Sequence, residues 1–224
     1  MKYVEKYFKG ACKVLERIDR VQVVRMIEIL KAIKKRNGRL FFLGVGGSAA
    51  NASHAVNDFR KICGIEAYTP MDNVAELSAR INDDGWESVF ANWLRQSRLC
   101  ADDGIFVLSV GGGNEEKNIS TNLVWAVHYA MEMNAKVLGI VGRDGGYTAL
   151  CADACVIVPP IDQEMITPYT EAFQGVIWHL LVTHPELRAN EMKWESLNKK
   201  RKPHVVGREI RNVNHRHQVA RHHS

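Results

Sequence analysis

Residues Leu40-Phe41-Phe42-Leu43 run directly into Gly44-Val45-Gly46-Gly47-Ser48, and a helical pattern follows from Ala49 to Ile62. Few folds accommodate that order. Consecutive apolar residues ending at a glycine turn describe a buried strand, and the helix behind it presents its first free N–H groups at the turn. The glycines let the backbone approach a ligand closely, and Ser48 is placed to cap the helix or to bond an oxyanion. Gly46, Gly47 and Ser48 are therefore candidate substrate-binding positions.

The same grammar recurs downstream. Gly104–Val110 reads as a strand, Gly111-Gly112-Gly113-Asn114 as a second glycine turn, and Glu115–Asn134 as the helix after it. Ala135–Val141 and Ala154–Val158 are further strands, joined through Gly142-Arg143-Asp144-Gly145-Gly146 and a short helix to Cys151. Glu66–Pro70 reads as a short strand. Helices are predicted over Val4–Lys35 (one, or two with a break near Asp19), Asp72–Ile81, Trp86–Ala101 and Thr167–Leu181, with Asn82–Gly85 as a loop. Strands that are apolar throughout and alternate with helices specify an α/β fold whose parallel sheet is covered on both faces. Such sheets bind ligands beyond the carboxyl ends of their strands, where strand order reverses. Both glycine turns lie at strand carboxyl ends and can share one crevice.

Charge divides the chain. Of the net +5, the stretch Lys199–Ser224 contributes +7, and the remaining residues carry 22 basic against 24 acidic side chains. The division predicts one domain over residues 1–190 and a basic, flexible tail over residues 191–224. Without an aromatic residue for stacking, the tail is read as a solvated charge run and nucleic-acid binding is not expected. No stretch has the roughly 18 apolar residues of a membrane span. The N-terminus lacks a signal-peptide pattern, so a cytoplasmic protein is expected. Five scattered cysteines argue against a disulfide framework.

The first turn lacks the third glycine of a dinucleotide fingerprint, and no phosphate loop ending in Gly-Lys-Ser/Thr occurs. The chemistry-bearing residues lie elsewhere. His54 and Asp58 share a helix face behind the first turn, and Glu171 and His179 lie eight apart on the last long helix. Two histidines and two carboxylates on two helices can hold a divalent metal, zinc by default, or perform acid–base chemistry. The second turn, Ser109, Gly111, Gly112, Gly113 and Asn114, offers successive N–H groups to an anion. A plain strand–helix connection is the competing reading.

With these residues together, the chain resembles the sugar isomerase (SIS) domain family over roughly Met1–Pro185, and within it the sedoheptulose 7-phosphate isomerases. The family's Gly-Asn-Gly-Gly-Ser turn resembles Gly44–Ser48, and its His and Glu four apart resemble His54 and Asp58. Its Asn-Asp before a Gly-aromatic pair resembles Asn82-Asp83 before Gly85-Trp86, and its Gly-Lys-Asp-Gly-Gly loop resembles Gly142–Gly146. Its late Gln and His stand where Glu171 and His179 are. The resemblance implies a three-layer, flavodoxin-like α/β/α sandwich with a five-stranded parallel sheet, and a homotetramer with sites between subunits.

It also implies aldose–ketose isomerisation of sedoheptulose 7-phosphate to D-glycero-D-manno-heptose 7-phosphate, in the biosynthesis of nucleotide-activated heptose. The implied site has His54, Asp58, Glu171 and His179 around zinc, Asp58 and His179 as catalytic groups, and Asp83 and Glu171 among the substrate contacts. Our reading of the mechanism has Asp58 abstracting the proton and His179 serving the sugar oxygens. Two departures bear on the substrate. Val45 replaces the family's Asn, and Ser109-Val110-Gly111-Gly112-Gly113-Asn114 replaces a serine-rich phosphate loop. The rival readings are a non-catalytic module that binds a phosphosugar or a protein, and an isomerase of another phosphosugar.

Overall fold

Asp19 breaks the N-terminal amphipathic stretch in two. In the computed structural model, which describes residues 1–197, α1 (Lys2–Arg17) ends before it and α2 (Arg20–Lys35) begins after it. The Asp19 side chain accepts from the N–H groups of Val21 and Gln22, a conventional N-cap. The rest of the chain alternates. Strand β1 (Leu40–Leu43) leads to α3 (Gly47–Asp58), which continues as a π-helical turn over Phe59–Cys63. Next come β2 (Ala67–Tyr68), α4 (Val74–Asp84), α5 (Val89–Gln96), β3 (Gly104–Ser109) and α6 (Thr121–Glu132). β4 (Lys136–Val141), α7 (Gly146–Cys151), β5 (Ala154–Ile157) and α8 (Ile166–Thr183) complete the series.

The five strands form one parallel sheet in the order β2-β1-β3-β4-β5, with Phe41 opposite Ile105 and Ile105 opposite Val137. Alternation along the strands sends side chains to two layers. Phe41, Leu43, Ile105, Val107 and Val137 pack with Phe90, Trp93 and Leu94 of α5 and with Leu123 and Val127 of α6. On the other side Phe42 stacks on Phe106 at 4.9 Å and meets Phe59 at 5.2 Å, beneath α3. The α/β/α expectation holds. Strand order reverses between β1 and β3, so the carboxyl ends that carry the two glycine turns flank the sheet's topological switch point.

Several boundaries differ from the sequence reading. The helix expected from Glu115 starts at Thr121 instead, because Asn114 and Ile119 pair as an antiparallel bridge and Asn118 and Ser120 take positive φ. The expected loop Asn82–Gly85 is largely the last turn of α4, which stops at Gly85 with φ +85°. Helix α5 is shorter than Trp86–Ala101.

Met1–Glu191 is one compact unit, and a second begins at Met192 and contains α9 (Lys193–Ser196). The predicted basic stretch Lys199–Ser224 lies outside the described residues. Among the described residues no helix is long and apolar enough to cross a membrane.

Candidate active site

The first glycine turn is built by close approach. A side chain at Gly44 would run into the Ser48 backbone, and Gly46, at φ +62°, caps α3 without any side-chain hydrogen bond. Of the two roles open to Ser48, helix cap or oxyanion partner, it does not take the first. It is 1% exposed, and its Oγ accepts from Gln174 Nε2 at 3.0 Å. Asn51 reinforces the same junction, donating from Nδ2 to the Glu171 carbonyl at 2.9 Å and to Gln174 Oε1 at 2.8 Å. Helix α8 is thus strapped across the first two turns of α3. Gln174 and Asn51 escaped the sequence reading, although a fully buried Gln on an apolar helix is the kind of residue that must find partners.

One and two turns further along α3, His54 and Asp58 meet His179 of α8. Asp58 Oδ2 lies 3.4 Å from His54 Nε2 and 3.5 Å from His179 Nε2, and accepts from Trp178 Nε1 at 3.3 Å. Asp58 Oδ1 accepts from Asn57 Nδ2 at 3.0 Å. The Asp58 side chain is 10% exposed, whereas those of His54 and His179 are 55% and 50% exposed. Asp58 therefore sits beneath two imidazoles that face solvent. The rings pack edge to face at 5.4 Å, with the Trp178 indole against both.

The His179 tautomer follows from its partner. Nδ1 lies 2.7 Å from the Gly175 carbonyl, which can only accept, so Nδ1 carries hydrogen. Its Nε2 then faces a carboxylate and needs a proton or a cation to do so favourably. One donor atom from each of His54, Asp58 and His179 falls within 4.8 Å of the others. Two imidazole nitrogens and one carboxylate are a donor set that suits zinc, and a hydrogen-bonded Nδ1 is the usual outer support of a ligating histidine.

Glu171 does not join them. It lies two turns before His179, about 12 Å along the helix axis. A methyl on Gly47 would stand 2.5 Å from the Glu171 carboxylate, which places that group over the start of α3. Of the four expected metal ligands, the chain brings His54, Asp58 and His179 together, and Glu171 stands apart from them over Gly47. Asp83 is exposed near the end of α4, where its Oδ1 accepts from Asn82 Nδ2 at 2.8 Å.

The second glycine turn serves packing as well as any ligand. Ser109 Oγ accepts from the Gly112 N–H at 3.0 Å, and the Gly112 carbonyl accepts from Thr148 N and Oγ1 at 2.9 and 2.7 Å. Tyr147 N–H reaches the Gly113 carbonyl at 2.8 Å. A side chain at Gly112 would overlap the Gly145 carbonyl, and one at Gly146 would overlap that of Gly111. The two glycine loops interlock, and no helix N-terminus stands directly behind Asn114. Asn114, Glu115, Glu116, Asp144 and Tyr147 line an open cavity of about 390 Å³ beside them. Burial, together with hydrogen bonding to Cys151, pushes the Tyr147 phenol up to about 12.

Comparison with known proteins decides the family. The chain is 30% identical over 189 residues to the phosphoheptose isomerase of Syntrophotalea carbinolica, covering 79% of this chain and 89% of that protein. The chain belongs to the phosphoheptose isomerase family. The family's fold recurs in a phosphoheptose isomerase structure from Neisseria gonorrhoeae, with a TM-score of 0.70 at 23% identity, over 81% of this chain and 96% of that one. The Francisella tularensis phosphoheptose isomerase structure gives a TM-score of 0.67 at 19% identity, over 81% and 92% of the two chains. A lincomycin biosynthesis protein of Streptomyces lincolnensis is 29% identical over 154 residues, which is 64% of this chain and 54% of that protein. No protein-family model matches the chain. The glycine turns occupy the carboxyl ends of β1 and β3, and the His54–Asp58–His179 cluster lies further along α3, with Asp58 at the end of that helix.

Proposed function

We propose that this protein is an aldose–ketose isomerase that converts sedoheptulose 7-phosphate to D-glycero-D-manno-heptose 7-phosphate in the cytoplasm. The observation that carries the reading is the shared Asp58 Oδ2, toward which two solvent-facing imidazoles and an indole N–H converge. A site that only binds a phosphosugar has no use for two exposed histidines poised on one buried carboxylate.

Isomerisation moves a proton between C1 and C2 through an enediol, which calls for groups that exchange protons with carbon and with oxygen. With Asp58 beneath the rings, the proton-transfer roles proposed here go to the two histidines. His54 and His179 meet the sugar, and His179 works through Nε2 because Nδ1 is committed to Gly175. One ring takes the carbon-bound proton and the other supplies a proton to the carbonyl oxygen. Asp58 orients both Nε2 atoms and stabilises whichever ring becomes charged. His54, Asp58 and His179 would alternatively hold a divalent cation, zinc first, whose chemistry there is to polarise the sugar's carbonyl oxygen as a Lewis acid.

Glu171 and the backbone of Gly46 and Gly47 bound the sugar-binding crevice on the α3 side. Ser109, Gly111–Gly113 and Asn114 bound it on the β3 side. A homotetramer fits the N-terminal helix: Tyr3, Val4, Phe8 and Leu15 of α1 are each more than half exposed, an apolar stripe suited to another subunit. The second reading, a phosphosugar-binding module without turnover, draws on the interlocked and acid-flanked second glycine turn. Conversion of the sugar phosphate, followed by NMR, separates the two.

A further inference from the structure

Trp178 stands immediately before the α8 histidine of the cluster, and its indole is 3% exposed. A buried indole N–H has to find an acceptor. It finds Asp58 Oδ2 at 3.3 Å, the oxygen that lies 3.4 Å from His54 Nε2 and 3.5 Å from His179 Nε2. Asp58 Oδ1 accepts separately from Asn57 Nδ2 at 3.0 Å. Each carboxylate oxygen thus holds one side-chain N–H, one from α3 and one from α8, and together they fix the rotation of the group. Asn57 is exposed, so water can replace its bond at little cost, and the buried indole is the firmer of the two holds. The same indole lies 5.2 Å from the His54 ring at 65° and 4.9 Å from the His179 ring at 32°. One side chain therefore sets the carboxylate and backs both imidazoles.

We propose that Trp178 is a positioning residue of the cluster: its N–H holds Asp58 Oδ2 toward the two imidazoles and so sets the cluster's affinity for a divalent cation, an assignment that rests on the cation-holding reading of His54, Asp58 and His179. A carboxylate oxygen has lone pairs for two partners, so an N–H on Oδ2 leaves room for a metal there. Ligating carboxylates are commonly held by such outer donors, whose loss costs about 10- to 100-fold in metal affinity. Here the donor is uncharged and buried, and it leaves the carboxylate's negative charge available to the cation.

Benzothienylalanine placed at position 178 keeps the bicyclic shape and removes the N–H, whereas fluorotryptophan there keeps both. Zinc affinity of the full chain is measured without sugar, by competition with a chromophoric chelator. Wild type, the two analogues and Trp178→Phe are compared, with His54→Ala as the control that removes a ligand. Wild type and the fluorotryptophan chain should bind alike. The benzothienyl and Phe chains should bind zinc about 10- to 100-fold more weakly, and only these two should show altered cobalt absorption spectra. Equal zinc affinity with and without the N–H overturns the proposal. Equal weakening by both analogues overturns it too, because the indole would then act through packing alone. A wild type that binds no zinc, or binds it as tightly after His54→Ala, removes the cation reading and the proposal with it. In that case isomerisation through the two histidines still stands or falls on conversion of the sugar.

Discussion

Trp178 donates its indole N–H to Asp58 at 3.3 Å, on the same Oδ2 that faces both His54 and His179. The indole thus fixes the carboxylate on which the two exposed rings depend. Replacing Asp58 by Asn keeps the shape but supplies an amide where two imidazoles need a negative partner. We expect turnover to fall about 10²- to 10⁴-fold, the usual span of acid–base contributions, with little change in KM. Trp178→Phe, which leaves the carboxylate in place, should cost about tenfold or less. Steady-state kinetics with a melting curve for each variant checks both. An Asp58→Asn enzyme with wild-type kcat would remove the cluster from the mechanism.

Acid sensitivity should originate away from the site. Asp103 is 1% exposed and binds Arg39 through two contacts of 2.7 and 3.2 Å to the guanidinium. Burial alone would raise its pKa, but hydrogen bonds from the Arg39 side chain and backbone and from Cys100 outweigh it and hold the carboxyl below 3.8. A carboxyl whose folded pKa is depressed contributes stability above its unfolded value and loses it as pH falls through the folded one. The contribution should therefore be complete at neutral pH and decline below about pH 4. Asp103→Asn should cost about 3–5 kcal/mol at pH 7, with a smaller difference from wild type in acid, measured by denaturant unfolding.

The interlocked glycine loops make a third prediction. Gly112 combines φ +69° with contact against the Gly145 carbonyl, so a methyl meets both strain and backbone. Gly112→Ala should destabilise by about 2–4 kcal/mol. Gly46→Ala meets open space but a backbone of φ +62° and ψ −129° that only glycine adopts readily, and should cost about 1–3 kcal/mol, all of it strain. Thermal melts of the two variants give the comparison.

Thiol chemistry should follow burial. Burial pushes Cys155 up to about 12 and Cys63 up to about 11, while Cys12 and Cys100 are exposed. Alkylation at pH 8 should label Cys12 and Cys100 first and leave Cys63 and Cys155 until unfolding, as peptide mass mapping would show.

The sheet was legible because β1, β3 and most of β4 are continuous apolar runs, a signal that survives without tertiary context. His54 and Asp58 were legible because four-residue spacing fixes a shared helix face. The start of α6 was not. Glu115 and Glu116 mimic the acidic first turn of a helix, whereas the Asn114–Ile119 bridge depends on positive φ at Asn118 and Ser120. Glu171 was assigned to the metal set from helix spacing and family likeness. Its actual neighbour, Gly47, is set by how α8 crosses α3, which sequence spacing cannot encode. Ser48 likewise carried a capping signal, and a buried Gln174 claimed its hydroxyl instead.

The most direct test of the isomerase account is NMR of the purified chain with sedoheptulose 7-phosphate, with and without added zinc. The account predicts new anomeric signals of the manno-heptose 7-phosphate that vanish in Asp58→Asn. Faster conversion with zinc would assign the cluster to a cation, and equal conversion to protons alone. Unchanged sugar signals under both conditions would contradict the account.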